Sequence, residues 1–237
     1  MTSFALKIIA IISMFLDHFG VAMYHKITGL NMLGRIAFPI FAFQISEGYQ
    51  HTKNLKKYFL RLFIFSLVSQ APFMLLHSLY SKEITLNIFF TLFVGLIAIL
   101  VYDKLVSSPK MLLKKSKKWD KIIKQLLGIL VAILLGILAQ VCKFDYGFFG
   151  IAIIFLFYLF RNKKIAMTLS FIIACIFKYG ISILQHGYHY YYILLCLFTI
   201  LSIIFILFYN GKQGKKVKYL LYFFYPVHLL VLYLLFR

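Results

Sequence analysis

Apolar residues run along this chain in blocks too long for the core of a soluble domain, broken by short polar connectors. The blocks lie at 3–24, 34–50, 58–79, 85–104, 125–142, 146–161, 165–185, 190–209 and 219–236. About 20 residues of helix cross the hydrocarbon of a bilayer, so each block is read as a span, the second and sixth being short. A helix satisfies all its backbone polar groups by itself within lipid, and the runs are too long for strands. Apolar residues surround most of these helices, so periodicity does not assign their faces. The pattern predicts an all-α, polytopic integral membrane helical bundle of about nine transmembrane helices. It forms a single domain over residues 1–237, with no internal repeat.

Composition strengthens this. Hydrophobic residues make up 63%, charged residues 14%, and mean hydropathy is +0.92, whereas a soluble globule is about one-quarter charged. The net charge of +20, from 26 Lys and Arg against 6 Asp and Glu, could signal nucleic acid as a partner. The placement of the basic residues argues against that. Most fall in the connectors after the second, fourth, sixth and eighth blocks: Lys53 to Arg61, Lys104 to Lys124, Arg161 to Lys164, and Lys212 to Lys218. Basic connectors that alternate in this way mark the cytoplasmic side. They predict a cytoplasmic N-terminus and an external Arg237 in a bacterial cytoplasmic membrane, with the lipid bilayer as a partner and no nucleic acid. The run KKSKKWDK (114–121) is expected to be a solvated loop that sets topology, with the anionic inner leaflet as the alternative contact. Cys142, Cys175 and Cys196 are odd in number and lack CxxC spacing, so free thiols are expected. The first block lacks a basic start and carries Asp17-His18, unlike a cleavable signal peptide.

Ionisable residues inside hydrocarbon are costly and point to function or internal pairing. Asp17 and His18 fall in the outer half of the first span, Arg35 at the outer start of the second, Asn87 in the outer half of the fourth, Lys178 in the outer part of the seventh, and His228 near the middle of the ninth. Adjacent helical residues diverge by about 100°, so Asp17 and His18 cannot form a simple acid–base pair. Asp17 and Arg35, at matched depth on neighbouring spans, are expected to pair or to line one cavity. His18 is either a packing histidine or a general base. Gln44, Glu47 and His51 recur at i, i+3 and i+7. Glu47 and His51 could ligate a metal, but a polar stripe along the inner half of a cavity fits better, and no metal site is expected. Pro39, Pro72 and Pro226 should kink their spans.

Three stretches resemble the TraX family: ALKIIAIISMFLDHFG (5–20), GRIAFPIFAFQISEGYQHTKNLKKYFLRL (34–62) and YFFYPVHLLVLYL (222–234); LNIFFTLFVGLIAI (86–99) also fits. TraX proteins are associated with acetylation of the F-pilin N-terminus. They are grouped with membrane acyltransferases that move acyl groups from acyl-CoA inside the cell to acceptors outside, using an early-helix histidine. The resemblance implies that His18 is catalytic, beside Asp17 and Arg35, and that acetyl-CoA is the donor. The polar stripe Gln44, Glu47 and His51, with the basic Lys53 and Lys57, is expected to hold acyl-CoA, whose phosphates attract cations. Asn87, Lys178 and His228 are expected to meet the acceptor: a pilin N-terminus, another peptide, or a surface glycan. A transporter using the same polar groups as a pathway, or a pilus or envelope assembly factor, are the alternatives. No glycine fingerprint of a nucleotide-hydrolysing enzyme is present.

Overall fold

The computed structural model of the chain describes residues 1–24, 29–109, 116–217 and 219–237. Expectations resting on Lys110, Lys114, Lys115 and Lys218 lie outside them. The helices are α1 (Ser3–Tyr24), α2 (Gly29–Gly34), α3 (Ala37–His51), α4 (Leu55–Val68), α5 (Gln70–His77), α6 (Ile88–Ser107), α7 (Lys117–Val141), α8 (Gly147–Leu159), α9 (Lys164–His186), α10 (Tyr190–Leu207) and α11 (Leu220–Phe236). Every predicted block is helical. Counting α4 and α5 as one, six helices among the described residues are long and apolar enough to cross a bilayer: α1, α4–α5, α6, α7, α9 and α10. The others are shorter, with 15 residues in α3, 13 in α8 and 17 in α11.

The prolines act as local chemistry requires, and not all as kinks. Pro72 lacks an N–H, and its ring opposes the carbonyl four residues back, which is that of Val68. There the third block breaks into α4 and α5. Pro39 lies in the first turn of α3, where an amide has no intrahelical partner to lose. It starts a helix where a kink was expected. Pro226 is inside α11 and deprives the Tyr222 carbonyl of its helical donor.

The run expected to be a loop before the fifth block is partly helix. Residues 117–124 form the first two turns of α7. Lys124 pairs with Asp120 at 2.7 Å, with both side chains only 6% exposed, and donates to the Ser108 carbonyl at 2.8 Å. An i,i+4 pair that neutralises itself lets a helix carry charges that a hydropathy window takes for a connector.

α3, α6 and α8 occupy the centre, and α8 is buried on nearly every side. Small residues allow close approach of helices: a Cβ on Gly128 of α7 would stand 2.6 Å from Cδ2 and 3.2 Å from Cα of Tyr102 on α6. On the periphery, α7 exposes Leu126, Leu130, Leu134 and Leu138, and α9 exposes Ile165, Leu169 and Ile173. One-turn spacing puts each set on one face, an apolar stripe that only lipid suits.

Hydrogen bonds show which helix ends lie together. The Ser3 and Phe4 amides donate to the Lys212 and Gln213 carbonyls, at 2.9 and 3.0 Å. Gln44 Nε2 donates to the Ser3 carbonyl at 3.2 Å. The Tyr49 and Tyr158 hydroxyls both donate to Asp103, at 2.8 and 2.7 Å. The start of α1 and the far ends of α3, α6, α8 and α10 thus share one face, where the basic connectors also gather. At the opposite face the start of α6 meets the α7–α8 turn through a backbone bridge between Leu86 and Phe144.

Candidate active site

The second half of α1 carries the two adjacent ionisable residues, and the helix sends them to different neighbours. Arg35 Nη2 donates to both Asp17 carboxylate oxygens, at 2.6 and 2.7 Å. Asn31, on α2 and 2% exposed, donates through Nδ2 to the Asp17 carboxylate at 2.9 Å and to its carbonyl at 2.8 Å. Arg35 Nε donates to the Asn31 carbonyl at 3.2 Å, closing the network. Gly34 permits this approach: a Cβ there would stand 2.6 Å from Asp17 Cγ. A charge-assisted pair of this length is strong, and it neutralises an aspartate that hydrocarbon would not tolerate alone.

His18 turns instead to α11. Its Nδ1 lies 2.8 Å from His228 Nε2, with the two rings stacked at 5.0 Å. His228 Nδ1 lies 2.7 Å from the Phe224 carbonyl. A carbonyl only accepts, so His228 Nδ1 carries the proton. In a neutral ring, Nε2 is then the acceptor. His18 must donate to it from Nδ1, which leaves the lone pair of His18 on Nε2. This chain sets the tautomer of His18 as a base requires.

His18 and Asp17 both line a cavity of about 30 Å³, with Asp145, Tyr146, Ile88 and Tyr225 among its other walls. The volume suits about one water molecule. Asp145 is carried by the α7–α8 turn. Its amide donates to the Leu86 carbonyl at 2.7 Å, and its carbonyl accepts from the Thr91 hydroxyl. Tyr146 follows with φ of 63°, a left-handed conformation that costs a bulky residue energy and recurs at functional sites. Its ring stacks on Phe38 at 3.9 Å.

Comparison with known proteins shows the family of the chain. The family described as "TraX protein" matches residues 3–236, essentially the whole chain. The chain belongs to the TraX family. Among curated relatives, it is 31% identical over 121 residues to the "Probable fimbrial assembly protein FimC, serogroup H1" of Dichelobacter nodosus, covering 46% of this chain and 49% of that protein. It is also 31% identical over 90 residues to an uncharacterised protein of Rickettsia prowazekii (strain Madrid E), covering 38% of this chain and 33% of that one. The matches thus span half or less of either relative. No solved structure matches.

On this TraX scaffold the expected site residues separate into groups. Asp17, His18 and Arg35 come together, and His228 joins them as the partner of His18 where an acceptor contact was expected. Lys178 lies nearby, its Nζ 4.9 Å from the centre of the Tyr146 ring and 4.5 Å from that of Phe149. Asn87 is fully buried and caps α6. It accepts from the Phe89 amide at 3.0 Å and donates to Ser66 and Gln70, both at 2.8 Å. Its polar atoms are taken up within the protein, so the structure gives it a capping role in place of acceptor binding. Gln44, Glu47 and His51 are not in the cavity wall. Gln44 holds Ser3, and Glu47 pairs with His51 at 3.4 Å. Ala37 and His51 are separated by about 21 Å of helix, which puts the stripe and the exposed Lys53 and Lys57 at the other face. Among the described residues no group of three His, Cys, Asp or Glu is placed to hold a metal. Asn31, Tyr146 and Tyr225 were not foreseen as site residues.

Proposed function

We propose that the chain is a membrane-embedded acetyltransferase, moving the acetyl group of cytoplasmic acetyl-CoA to an amine or hydroxyl on the other side of the membrane. The observation that carries this reading is the chain from the Phe224 carbonyl through His228 to His18. It leaves His18 Nε2 as a lone-pair base in a residue that lines a small cavity shared with Asp17 and Asp145. Charge distribution supports the basic face as cytoplasmic, where Lys53 and Lys57 attract the phosphates of the donor. The cavity suits about one water molecule, so the thioester reaches His18 when the packing around it opens. His18 takes the proton of the acceptor as the acceptor attacks the thioester carbon. Asp17 and Arg35 brace the wall beside it. Membership of the TraX family supports a pilin N-terminus as acceptor, with another peptide amine or a surface glycan of the same reactivity in its place.

The test is transfer of radiolabelled acetyl from acetyl-CoA to a pilin N-terminal peptide by purified protein in proteoliposomes. The expected result is transfer by the wild type and none by His18→Ala or His18→Gln at normal expression. Near wild-type transfer by His18→Gln, which keeps hydrogen bonding but not basicity, would reject His18 as the base. The resemblance to the Dichelobacter fimbrial assembly protein favours a second reading, a fimbrial assembly factor without chemistry. That reading predicts a deletion phenotype in pilus assembly that His18→Ala restores fully.

A further inference from the structure

Tyr225 is 1% exposed, and its hydroxyl is buried without a hydrogen-bond partner among the described residues. A buried hydroxyl left unpaired costs about 1–3 kcal/mol, so native interiors seldom keep one without a use. Its position is specific. The Tyr225 ring lies 6.0 Å from that of His18, and both residues line the same cavity. Ile88 lines that cavity as well. Ile88 is the first residue of α6, after the Asn87 cap. The Asn87 side chain takes the Phe89 amide and the Asn87 carbonyl takes that of Phe90, whereas the amide of a first helical residue has no intrahelical acceptor. The 20-residue α6 thus points its positive end at the same wall. The Tyr225 hydroxyl and the first amide of α6 therefore belong to residues that line one small cavity with His18.

We propose that the Tyr225 hydroxyl and the Ile88 amide form an oxyanion-holding site for the carbonyl oxygen of an acyl thioester, opposite the His18 base. This rests on the acyltransferase reading above and deepens it by assigning the group that stabilises negative charge. In the step, an acceptor X–H approaches the thioester carbon and His18 Nε2 takes its proton. The X–C bond forms, and the carbonyl π pair moves to oxygen, where Tyr225 and Ile88 donate to it. The pair returns, the C–S bond breaks, and the thiolate leaves as thiol with the proton from His18. Acceptor and thioester thus become acylated acceptor and free thiol, with His18 regenerated. Donors aimed at developing charge in a site closed to water are worth the most in the transition state.

Tyr225→Phe tests this, because it removes only the oxygen and keeps the ring against Phe89, 5.2 Å away. The expected result is a fall in kcat for acetyl transfer of about 10²–10³-fold, with KM for acetyl-CoA changed by less than about threefold and the thermal midpoint in detergent raised, because the unpaired hydroxyl is gone. An equal loss appearing in KM alone would make the hydroxyl a ground-state contact and overturn the assignment. So would transfer within about threefold of wild type. Loss of folding would overturn it too, since it would show the hydroxyl committed within the protein. His18→Ala run in parallel separates the two readings: a silent wild type defeats the acyltransferase itself, and an active His18→Ala defeats His18 as its base. A dead His18→Ala beside a fully active Tyr225→Phe defeats only the oxyanion site.

Discussion

Replacing Asp17 by alanine should damage the protein more than replacing Asp17 and Arg35 together. Arg35 Nη2 reaches both carboxylate oxygens, at 2.6 and 2.7 Å, and the two side chains are 26% (Arg35) and 15% (Asp17) exposed. Asp17→Ala leaves the guanidinium in the bundle with only the Asn31 carbonyl to bond. Removing one partner of a buried pair costs about 3–5 kcal/mol. The partial exposure of Arg35 favours the lower end, about 3 kcal/mol. Asp17→Ala with Arg35→Ala removes both charges. It forfeits hydrogen bonds and packing worth about 1 kcal/mol, leaving a gap of about 2 kcal/mol, or roughly 30-fold in the unfolding equilibrium. Unfolding of the purified variants by increasing SDS in mixed micelles, followed by circular dichroism, measures this. Asn31→Ala should fall between wild type and Asp17→Ala, because Arg35 still holds the carboxylate. A double variant less stable than either single variant would refute the argument. Asp17 and Arg35 would then act independently, and their proximity would contribute no coupling energy.

His228→Leu should cut acetyl transfer by about 10²-fold, since His18 loses the acceptor that sets its tautomer. His228→Gln, whose amide oxygen can accept, should recover part of the rate in the same proteoliposome assay. Gly34→Ala should lower the thermal midpoint in detergent by forcing Asp17 off Arg35, at a cost of about 1–3 kcal/mol; an unchanged midpoint would mean that α2 shifts freely. A reporter that works only outside the cytoplasm should be active when fused after Arg237 and silent when inserted at Lys212. The reverse result would invert the assigned orientation.

Depth and adjacency were enough to bring Asp17 to Arg35, because consecutive spans lie side by side and both residues sit at the same level. The divergence of Asp17 from His18 likewise followed from helix geometry alone. The pairing of His18 with His228 joins the first block to the last, and no local rule says which distant helices touch. Asn31 was overlooked because it falls in a connector, where asparagine is ordinary, yet it bears on Asp17 from a short helix. Asn87 misled for a different reason. An asparagine opening an apolar block is polar matter in the membrane and equally a helix cap, and only its contacts decide between them. The Gln44, Glu47 and His51 stripe has the helical spacing expected, but a stripe has no address along the membrane normal until the ends of α3 are placed. The early start of α7 was hidden because charges end a hydropathy window even when Asp120 and Lys124 cancel each other.

The brevity of α8 has a consequence for any molecule that must meet its partner across this protein. Tyr146 at one end belongs to the cavity wall, and Tyr158 at the other holds Asp103. Twelve helical steps separate them, about 18 Å, whereas the surrounding hydrocarbon is about 30 Å thick. The bundle is therefore a locally thinned insulator. Between these two polar landmarks a membrane potential falls over a shorter distance and the electric field is steeper than in the lipid alongside. A charged group moved from one landmark to the other exchanges with that potential on the order of 2.3 kcal/mol per charge for each 100 mV it crosses. On the proposed reading, with donor and acceptor on opposite sides of the membrane, the resting voltage of a cell acts on every charge that passes between these landmarks.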